Sequence, residues 1–237
     1  MLCSAGCAWY MAFVSEEDPG GALDGRAARA ERRRAERREA ILEAAKAVFR
    51  DKGYHQASVH DIIDQARIAR GTFYLYFSSK QDLFGELVAE FLSLVRGQVR
   101  RIELGPDADP PRTQLRNNVR RVVTSVLEHD AIASIIMRDS RGYDDESRAQ
   151  VDGFFASVQQ LMRDAINVGQ GLGLVGPCDV NVVSVVALGG LRSALVRMLE
   201  AQAAGVSDPD GESFKQTAAV ADELLDFFLR GVAAPSG

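Results

Sequence analysis

The chain has 237 residues, of which 46% are hydrophobic and 26% charged, a composition typical of a soluble globular protein. No stretch reaches the roughly 18 uninterrupted apolar residues that indicate a membrane helix, and the apolar start lacks the basic segment of a secretory signal. We therefore expect a cytoplasmic protein that contacts no membrane. The formal net charge of −5 hides an asymmetry: residues 26–101 carry 16 Lys and Arg against 10 Asp and Glu, whereas residues 102–237 carry 12 against 19. A basic N-terminal part on an acidic body favours nucleic-acid binding.

The cysteines and histidines indicate neither a disulfide framework nor a metal site. Cys3, Cys7 and Cys178 are too few and too scattered for the former, which agrees with a reducing compartment. No histidine or third cysteine stands near Cys3 and Cys7, so we expect no metal and no cofactor. An enzyme would need a nucleophile–base pair, a metal cluster or a phosphate loop, and the spacing of the polar residues provides none of these. We therefore expect no enzymatic activity.

Residues 1–36 are expected to form a disordered tail that leads into an arginine-rich arm. Residues 1–25 contain four glycines, a proline and no periodic pattern. Residues 26–38 contain seven arginines and only two glutamates. Two interpretations of this arm stay open: a solvated helical extension, or an arm that follows the phosphate backbone or enters a minor groove.

Apolar residues three and four positions apart predict a helical DNA-binding domain over residues 37–97. Gly53 is expected to end its first helix in a left-handed conformation. Ser58 and Ser79, each followed three residues later by an aspartate, are expected to cap the second and fourth helices. The unpaired amides at these two helix starts suit phosphate, and Lys80 adds a positive charge at one of them.

Between them, residues 58–80 combine a helix, a turn at 67–69 and a short helix from Arg70 to Phe77, which are the elements of a helix-turn-helix. Phe73 and Phe77 are expected to face inward and hold the short helix in place. Its outward side is then suited to a DNA groove, with a guanidinium for guanine and a hydroxyl and methyl at Thr72. That side consists of Arg70, Gly71, Thr72, Leu75 and Tyr76, with Tyr74 beside them.

Two stretches, residues 40–54 and 58–84, resemble the N-terminal domain of the tetracycline-repressor (TetR) family. Its most diagnostic part here is Arg-Gly-Thr-Phe-Tyr-Leu-Tyr-Phe-Ser-Ser-Lys, residues 70–80. The resemblance implies phosphate contacts from Ser58 and Lys80 and base reading by residues 70–72. It also implies a tyrosine on the DNA face at Tyr74, and contacts to base methyls and phosphate from residues 75 and 76.

The turn departs from the family's usual Gly-Val-Ser, because it reads Arg67-Ile68-Ala69. Arg67 stands where glycine normally supplies a positive φ, so we expect either a strain of roughly 1 kcal/mol or a differently shaped turn, and in exchange a phosphate contact. Ala69 has no oxygen to cap the reading helix, a loss of about 1 kcal/mol.

The remaining residues, 98–237, predict a second helical domain, which makes the whole chain all-α with about nine helices. Helices are expected at about 112–129, 131–139, 144–170, 180–203 and 213–231, with Asp179 and Ser213 as N-caps. The resemblance implies that this domain dimerises through its last two long helices and holds a small molecule. Residues 182–199 are apolar nearly all round, which favours a partner helix from a second subunit over burial within one subunit.

Candidate pocket residues in this domain are apolar side chains that serve equally well as ordinary core. They are Met137, Phe154, Phe155, Met162 and Ile166. The resemblance as a whole implies a DNA-binding transcriptional regulator, a repressor that binds a palindromic operator as a dimer and is released by a small-molecule effector. A helical scaffold that has lost DNA binding stays open as the alternative.

Overall fold

The computed structural model describes residues 25–137, 143–204, 214 and 216–232, and these form nine α-helices. The helices are α1 Gly25–Lys52, α2 Val59–Ala66, α3 Arg70–Tyr74, α4 Lys80–Gln98, α5 Pro111–Glu128, α6 Asp130–Met137, α7 Asp145–Gly171, α8 Val180–Ala204 and α9 Thr217–Val232. The prediction of an all-α chain is confirmed. The expected tail, apart from Gly25, and the expected N-cap Ser213 lie outside the described residues.

The chain divides into two compact units, residues 1–39 and 40–237. In the first unit, residues 25–39 are helical and every described side chain from 28 to 37 is exposed. Alanine, arginine and glutamate have high helix propensities, which accounts for a helix that buries no apolar face.

In the second unit, the apolar stripe of α1 packs against α2, α3 and α4. Ile41, Leu42 and Phe49 are buried on this face, as the three- and four-residue spacing predicted. Phe84 of α4 meets the ring of Phe49 edge-on, with the centroids 6.1 Å apart. Gly53 ends α1 with φ of 76°, and its amide donates to Phe49 O at 2.9 Å, so the predicted left-handed stop is confirmed.

The C-terminal helices are connected by polar contacts at defined points. Asp222 and Asp226 of α9 accept hydrogen bonds from arginines of α5: Arg120 donates to the first, and Arg112 to the second at 2.9 Å. The loop between α4 and α5 is fixed by Asn118, whose amide bonds the backbone N–H and C=O of Arg100. These contacts hold α5 between α4 and α9.

Candidate nucleic-acid interface

The start of α2 is held by the reciprocal capping box that the sequence predicted. Ser58 Oγ accepts from Asp61 N at 3.2 Å, and Ser58 N donates to the Asp61 carboxylate at 2.9 Å. Lys52 Nζ lies 2.6 Å from the same carboxylate. The hydrogen bond from Lys52, followed by those from Ser58, holds the pKa of Asp61 well below its usual range. Ser58 is exposed at this helix start, and its hydroxyl donates to the Asp61 carboxylate at 2.7 Å.

Arg67 adopts the left-handed conformation in the turn, with φ of 51° and ψ of 48°. Among the described residues it is the one non-glycine with a positive φ. Its amide donates to Asp64 O at 3.1 Å, and Ile68 N donates to Ile63 O at 3.2 Å, which closes the end of α2. The expected positive φ is confirmed, and the Arg67 side chain points into solvent.

Ala69 is the N-cap of α3 and has the extended backbone of a capping residue, with φ of −71° and ψ of 148°. It supplies no side-chain hydrogen bond, as predicted. The regular helix that follows ends at Tyr74, three residues before the predicted end at Phe77. The chain nevertheless keeps its course for another turn, since Phe77 N still donates to Phe73 O at 3.0 Å.

In α3 and the turn after it, the buried and the exposed side chains are those expected at most positions. Phe73 and Phe77 are buried, and their rings lie 5.9 Å apart. On the other side Leu75 is 75% exposed and Tyr74 47% exposed. The expectation of outward side chains is only partly met at two positions, because Thr72 is half-buried and Tyr76 packs partly against the core.

Arg70 and Gly71 form the exposed start of this reading face. The guanidinium carbon of Arg70 lies 5.9 Å from the ring centroid of Tyr74, so the two side chains are neighbours on the surface. A Cβ added at Gly71 meets nothing within 4 Å, so glycine is not required there by the protein's own packing. Because Gly71 has no side chain, the protein surface beside Arg70 is lower there than with any other residue.

The Lys80 ammonium is partly occupied within the protein. Lys80 Nζ donates to the carbonyl oxygens of Tyr54 and Ala57, both at 3.0 Å, and lies 4.2 Å from the centroid of the Tyr54 ring. Burial lowers the pKa of Lys80, although the nearby Asp144 acts in the opposite direction. Lys80 thus ties the start of α4 to the loop before α2. No pattern in the sequence indicates these carbonyl acceptors.

Tyr54 connects the same loop to the C-terminal domain, a role that sequence reasoning missed. Its hydroxyl lies 2.6 Å from Ser147 Oγ and donates to Asp144 Oδ2 at 3.1 Å, and Gln81 Nε2 donates to the same carboxylate oxygen at 3.1 Å. Burial raises the pKa of Tyr54. Burial also acts to raise the pKa of Asp144, but its hydrogen bonds, first those from Ser147, hold it below the usual value. The loop, α4 and the start of α7 therefore meet at one hydrogen-bonded junction.

The five predicted pocket residues lie on α6 and α7 at different depths. Met137 and Phe154 are buried, whereas Phe155, Met162 and Ile166 are half-buried. Arg192 of α8 joins two of them, because its Nη2 donates to Met137 O at 3.2 Å and its guanidinium lies 4.5 Å from the Phe155 ring centroid.

Two open grooves lie instead on α8 and α9, with volumes of about 570 Å³ and 530 Å³. None of the five predicted pocket residues lines either groove. Phe227 lines both and is 71% exposed, and Val182 and Val186 line the second. By length and composition alone, residues 180–203 of α8 are also sufficient to cross a membrane, a property shared by core helices of soluble proteins. The exposed side of α8 and α9 is therefore apolar and concave.

Two family models match the chain, one in each predicted domain. Residues 41–87 match "Bacterial regulatory proteins, tetR family", and residues 108–195 match "Tetracyclin repressor-like, C-terminal domain". The first match includes the whole segment from Ser58 to Lys80, which contains α2, the turn and α3.

Known proteins and structures agree with these matches. YuxN of Bacillus subtilis, an HTH-type transcriptional regulator, is 30% identical over 104 residues, which are 44% of this chain and 35% of that protein. The chain thus matches about a third of the length of that curated relative. The probable acrEF/envCD operon repressor of Escherichia coli is 25% identical over 198 residues, 81% of this chain and 86% of the repressor. FadR of Bacillus subtilis, solved in complex with stearoyl-CoA, superposes with a TM-score of 0.63 at 19% identity, covering 81% of this chain and 98% of that structure. At this identity the likeness to FadR is one of fold.

Proposed function

The chain belongs to the tetR family of bacterial regulatory proteins, and we propose that it is a transcriptional repressor which binds a palindromic DNA operator as a homodimer and leaves it when a small molecule binds. The observation that carries this proposal is that α3 and the turn after it have one buried side and one exposed side. Buried Phe73 and Phe77 fix one side, and Tyr74 and Leu75 are exposed on the other. Such a face is expected to fit the major groove of DNA.

Within this face we assign base reading to Arg70, Gly71 and Thr72, where the guanidinium can bond guanine O6 and N7. Tyr74, Leu75 and Tyr76 contact phosphate and thymine methyls. Their exposure supports the first two assignments more strongly than the third, since Tyr76 packs partly against the core.

Phosphate anchoring is assigned to the residues around the helix ends: Ser58 at the start of α2, Arg67 in the turn, and Lys80 at the start of α4. Ser58 and Arg67 support this role by their exposure. Lys80 is proposed to contribute in two ways: it holds the loop before α2 through two carbonyl oxygens, and its third N–H bonds a phosphate.

A homodimer is proposed because the apolar side of α8 and α9 has no partner within the described part of the subunit. Val182, Val186 and Phe227 are exposed there together. A two-fold arrangement of the two helices from each subunit covers these side chains and spaces two reading helices along the duplex. Burial in a second subunit is favoured over membrane insertion because the relatives of the chain are DNA-binding regulators, and we propose a cytoplasmic location and no enzymatic role.

The effector is proposed to be a small molecule with a large apolar part, bound near α6, α7 and α8. Met137, Phe154, Phe155, Met162 and Ile166 are the proposed apolar lining. The structure of FadR with stearoyl-CoA supports an apolar ligand in this fold, and the guanidinium of Arg192 beside Met137 and Phe155 gives this region one polar group.

Selection of bound duplexes from a random DNA pool tests the function directly. The wild-type protein is expected to enrich a palindrome whose half-sites lie about one helical turn or a little more apart. Arg70→Ala is expected to relax the preference at one base pair of each half-site by about 1–3 kcal/mol, and Tyr74→Ala to weaken binding to all sequences. Arg163→Ala on α7 serves as the matched control. A wild-type protein that enriches no sequence would contradict the proposal.

A further inference from the structure

The arginine-rich arm, residues 26–38, is the most strongly charged segment of the molecule. It carries seven arginines and two glutamates in a chain whose net charge is −5. All of it is helical, within α1, and the side chains of residues 28–37 are exposed. Residues 25–39 form about 22 Å of helix.

Three of the arginines of this helix form a row on one face. Arg29, Arg33 and Arg37 follow each other at four-residue intervals, which places them within about 80° around the helix axis. Arg32 and Arg34 flank this row, and Glu36 lies at its edge. Glu31 and Arg38 lie on the opposite side. The arm therefore presents a basic row with one glutamate at its edge.

The arginine row lowers the stability of a helix that the propensities of its residues otherwise favour. Like charges four residues apart repel each other on a helix surface and destabilise it by a few tenths of a kcal/mol per pair. The exposed side chains of residues 28–37 add no apolar burial that offsets the repulsion. A polyanion along the basic row replaces this repulsion between arginines with attraction, because each guanidinium then faces a phosphate.

We propose that the basic row of the arm lies along the phosphate backbone of DNA beside the operator and supplies sequence-independent affinity. The proposal rests on the proposed function, since it takes duplex DNA as the ligand. Successive arginines of the row are about 6 Å apart along the axis of α1, and every second phosphate of one strand is displaced by about 6.8 Å along the duplex axis.

The helical form of the arm selects between the two DNA contacts that the sequence left open, with the phosphate backbone or within the minor groove. An α-helix with its side chains is about 10 Å wide, and the minor groove of B-DNA is about 6 Å wide. The arm in this form does not enter the minor groove as an extended arm does. Contact with the backbone from outside needs no unfolding of the helix, and the guanidinium groups keep their charge at any physiological pH.

The salt dependence of DNA affinity tests the proposal. The triple variant Arg29→Gln, Arg33→Gln, Arg37→Gln removes three charges per subunit and keeps the helix, because glutamine and arginine have similar helix propensities. Arg96→Gln, Arg101→Gln, Arg163→Gln removes the same number of charges elsewhere. Affinity is measured on a selected operator and on an unrelated duplex of the same length, and helicity by circular dichroism.

Each phosphate contact contributes a slope of about −0.9 to the plot of log affinity against log salt concentration. The slope of the arm variant is expected to be less negative by roughly 2 to 5, on both duplexes alike. Between 50 and 200 mM salt, the wild type and the control variant then lose roughly 10-fold to 1,000-fold more affinity than the arm variant.

Equal slopes for the wild type and the arm variant would overturn the arm proposal and leave the proposed function standing. Equal slopes together with arm-dependent binding to phosphatidylglycerol vesicles would assign the arm to a membrane surface instead, and would also overturn it. If the wild type retains no duplex at any salt concentration, the proposed function and the arm proposal both fail.

Discussion

The hydroxyl of Tyr54 lies 2.6 Å from Oγ of Ser147, and this buried contact joins the loop before α2 to the first turn of α7. The two residues are 93 positions apart in the chain. Asp144, the N-cap of α7, accepts from the same hydroxyl, so one phenol contributes to both the cap and the first turn of that helix. The start of α7 is thereby connected to the loop before α2, which Lys80 also holds.

Tyr54→Phe is expected to lower the free energy of unfolding by about 1–2 kcal/mol. The substitution keeps the ring, which packs against Phe49 and Phe84, but it removes two hydrogen bonds and leaves buried Ser147 without this partner. Urea denaturation measures the effect. Tyr74→Phe is the matched control, and its change is expected to stay within about 0.5 kcal/mol because that ring is largely exposed. Equal effects of the two variants would contradict the role given to Tyr54.

Buried Tyr54 and half-buried Tyr143 predict a loss of stability at alkaline pH. Burial raises the pKa of Tyr143 to about 12 and that of Tyr54 further, from an ordinary value of 10.0. Above pH 10 the unfolded chain releases these protons while the folded chain retains them, so unfolding becomes easier as the pH rises. Urea midpoints at pH values on either side of 10 are expected to fall for the wild type. The midpoints should fall less for the double variant Tyr54→Phe, Tyr143→Phe. The same pH dependence in the wild type and the double variant would argue against this origin.

The local elements of the reading domain were predictable from the sequence, because short-range rules determine them. The caps Ser58 and Ser79 and the left-handed Gly53 and Arg67 all depend on residues within five positions. The bonds of Lys80 to backbone carbonyls depend on contacts 23 and 26 positions away, and any residue type supplies a carbonyl. Such contacts leave no mark in the sequence.

The sequence could not distinguish the five predicted pocket residues from ordinary core, for a different physical reason. Phenylalanine and methionine at helical spacing satisfy a core and a ligand equally well, and Phe154 indeed stacks on Phe91 at 5.5 Å. The Tyr54 junction was missed because it depends on the tertiary packing of α7 against α4. A sequence pattern indicates which face of a helix is apolar, but not which distant polar residue that face meets.

Arg67→Gly is expected to stabilise the protein by roughly 0.5–1 kcal/mol. Glycine adopts the observed φ of 51° without the steric cost that a Cβ imposes. Arg67→Ala is the matched variant, since it removes the guanidinium but keeps the Cβ, and we expect no such gain. Both variants should weaken DNA binding to the same extent if the guanidinium contacts phosphate. A gain in stability for Arg67→Ala as large as that for Arg67→Gly would show that the backbone strain is not the cause.

Ala69→Ser is expected to stabilise the reading helix by about 1 kcal/mol. The backbone at position 69 already has the extended conformation of a capping residue, so a serine oxygen can accept from the first turn of α3 without rearrangement. Ser58→Ala, which removes an existing cap at α2, is the reverse comparison and should cost a similar amount. Thermal denaturation of both variants measures these changes. No stabilisation by Ala69→Ser would indicate that α3 is held by Phe73 and Phe77 alone.

Phe227→Glu is expected to convert the proposed dimer into a monomer that keeps its helical structure. Phe227 is 71% exposed and lines both grooves, so a charge there costs little in the separate subunit but is buried without a partner in the dimer. Light scattering coupled to size exclusion measures the mass, and circular dichroism the fold. Ala156→Glu places the same charge on exposed α7 and should leave the dimer intact. A monomer binds one half-site, so operator affinity should fall steeply with dimer loss. A Phe227→Glu protein that still dimerises would place the subunit interface on another surface.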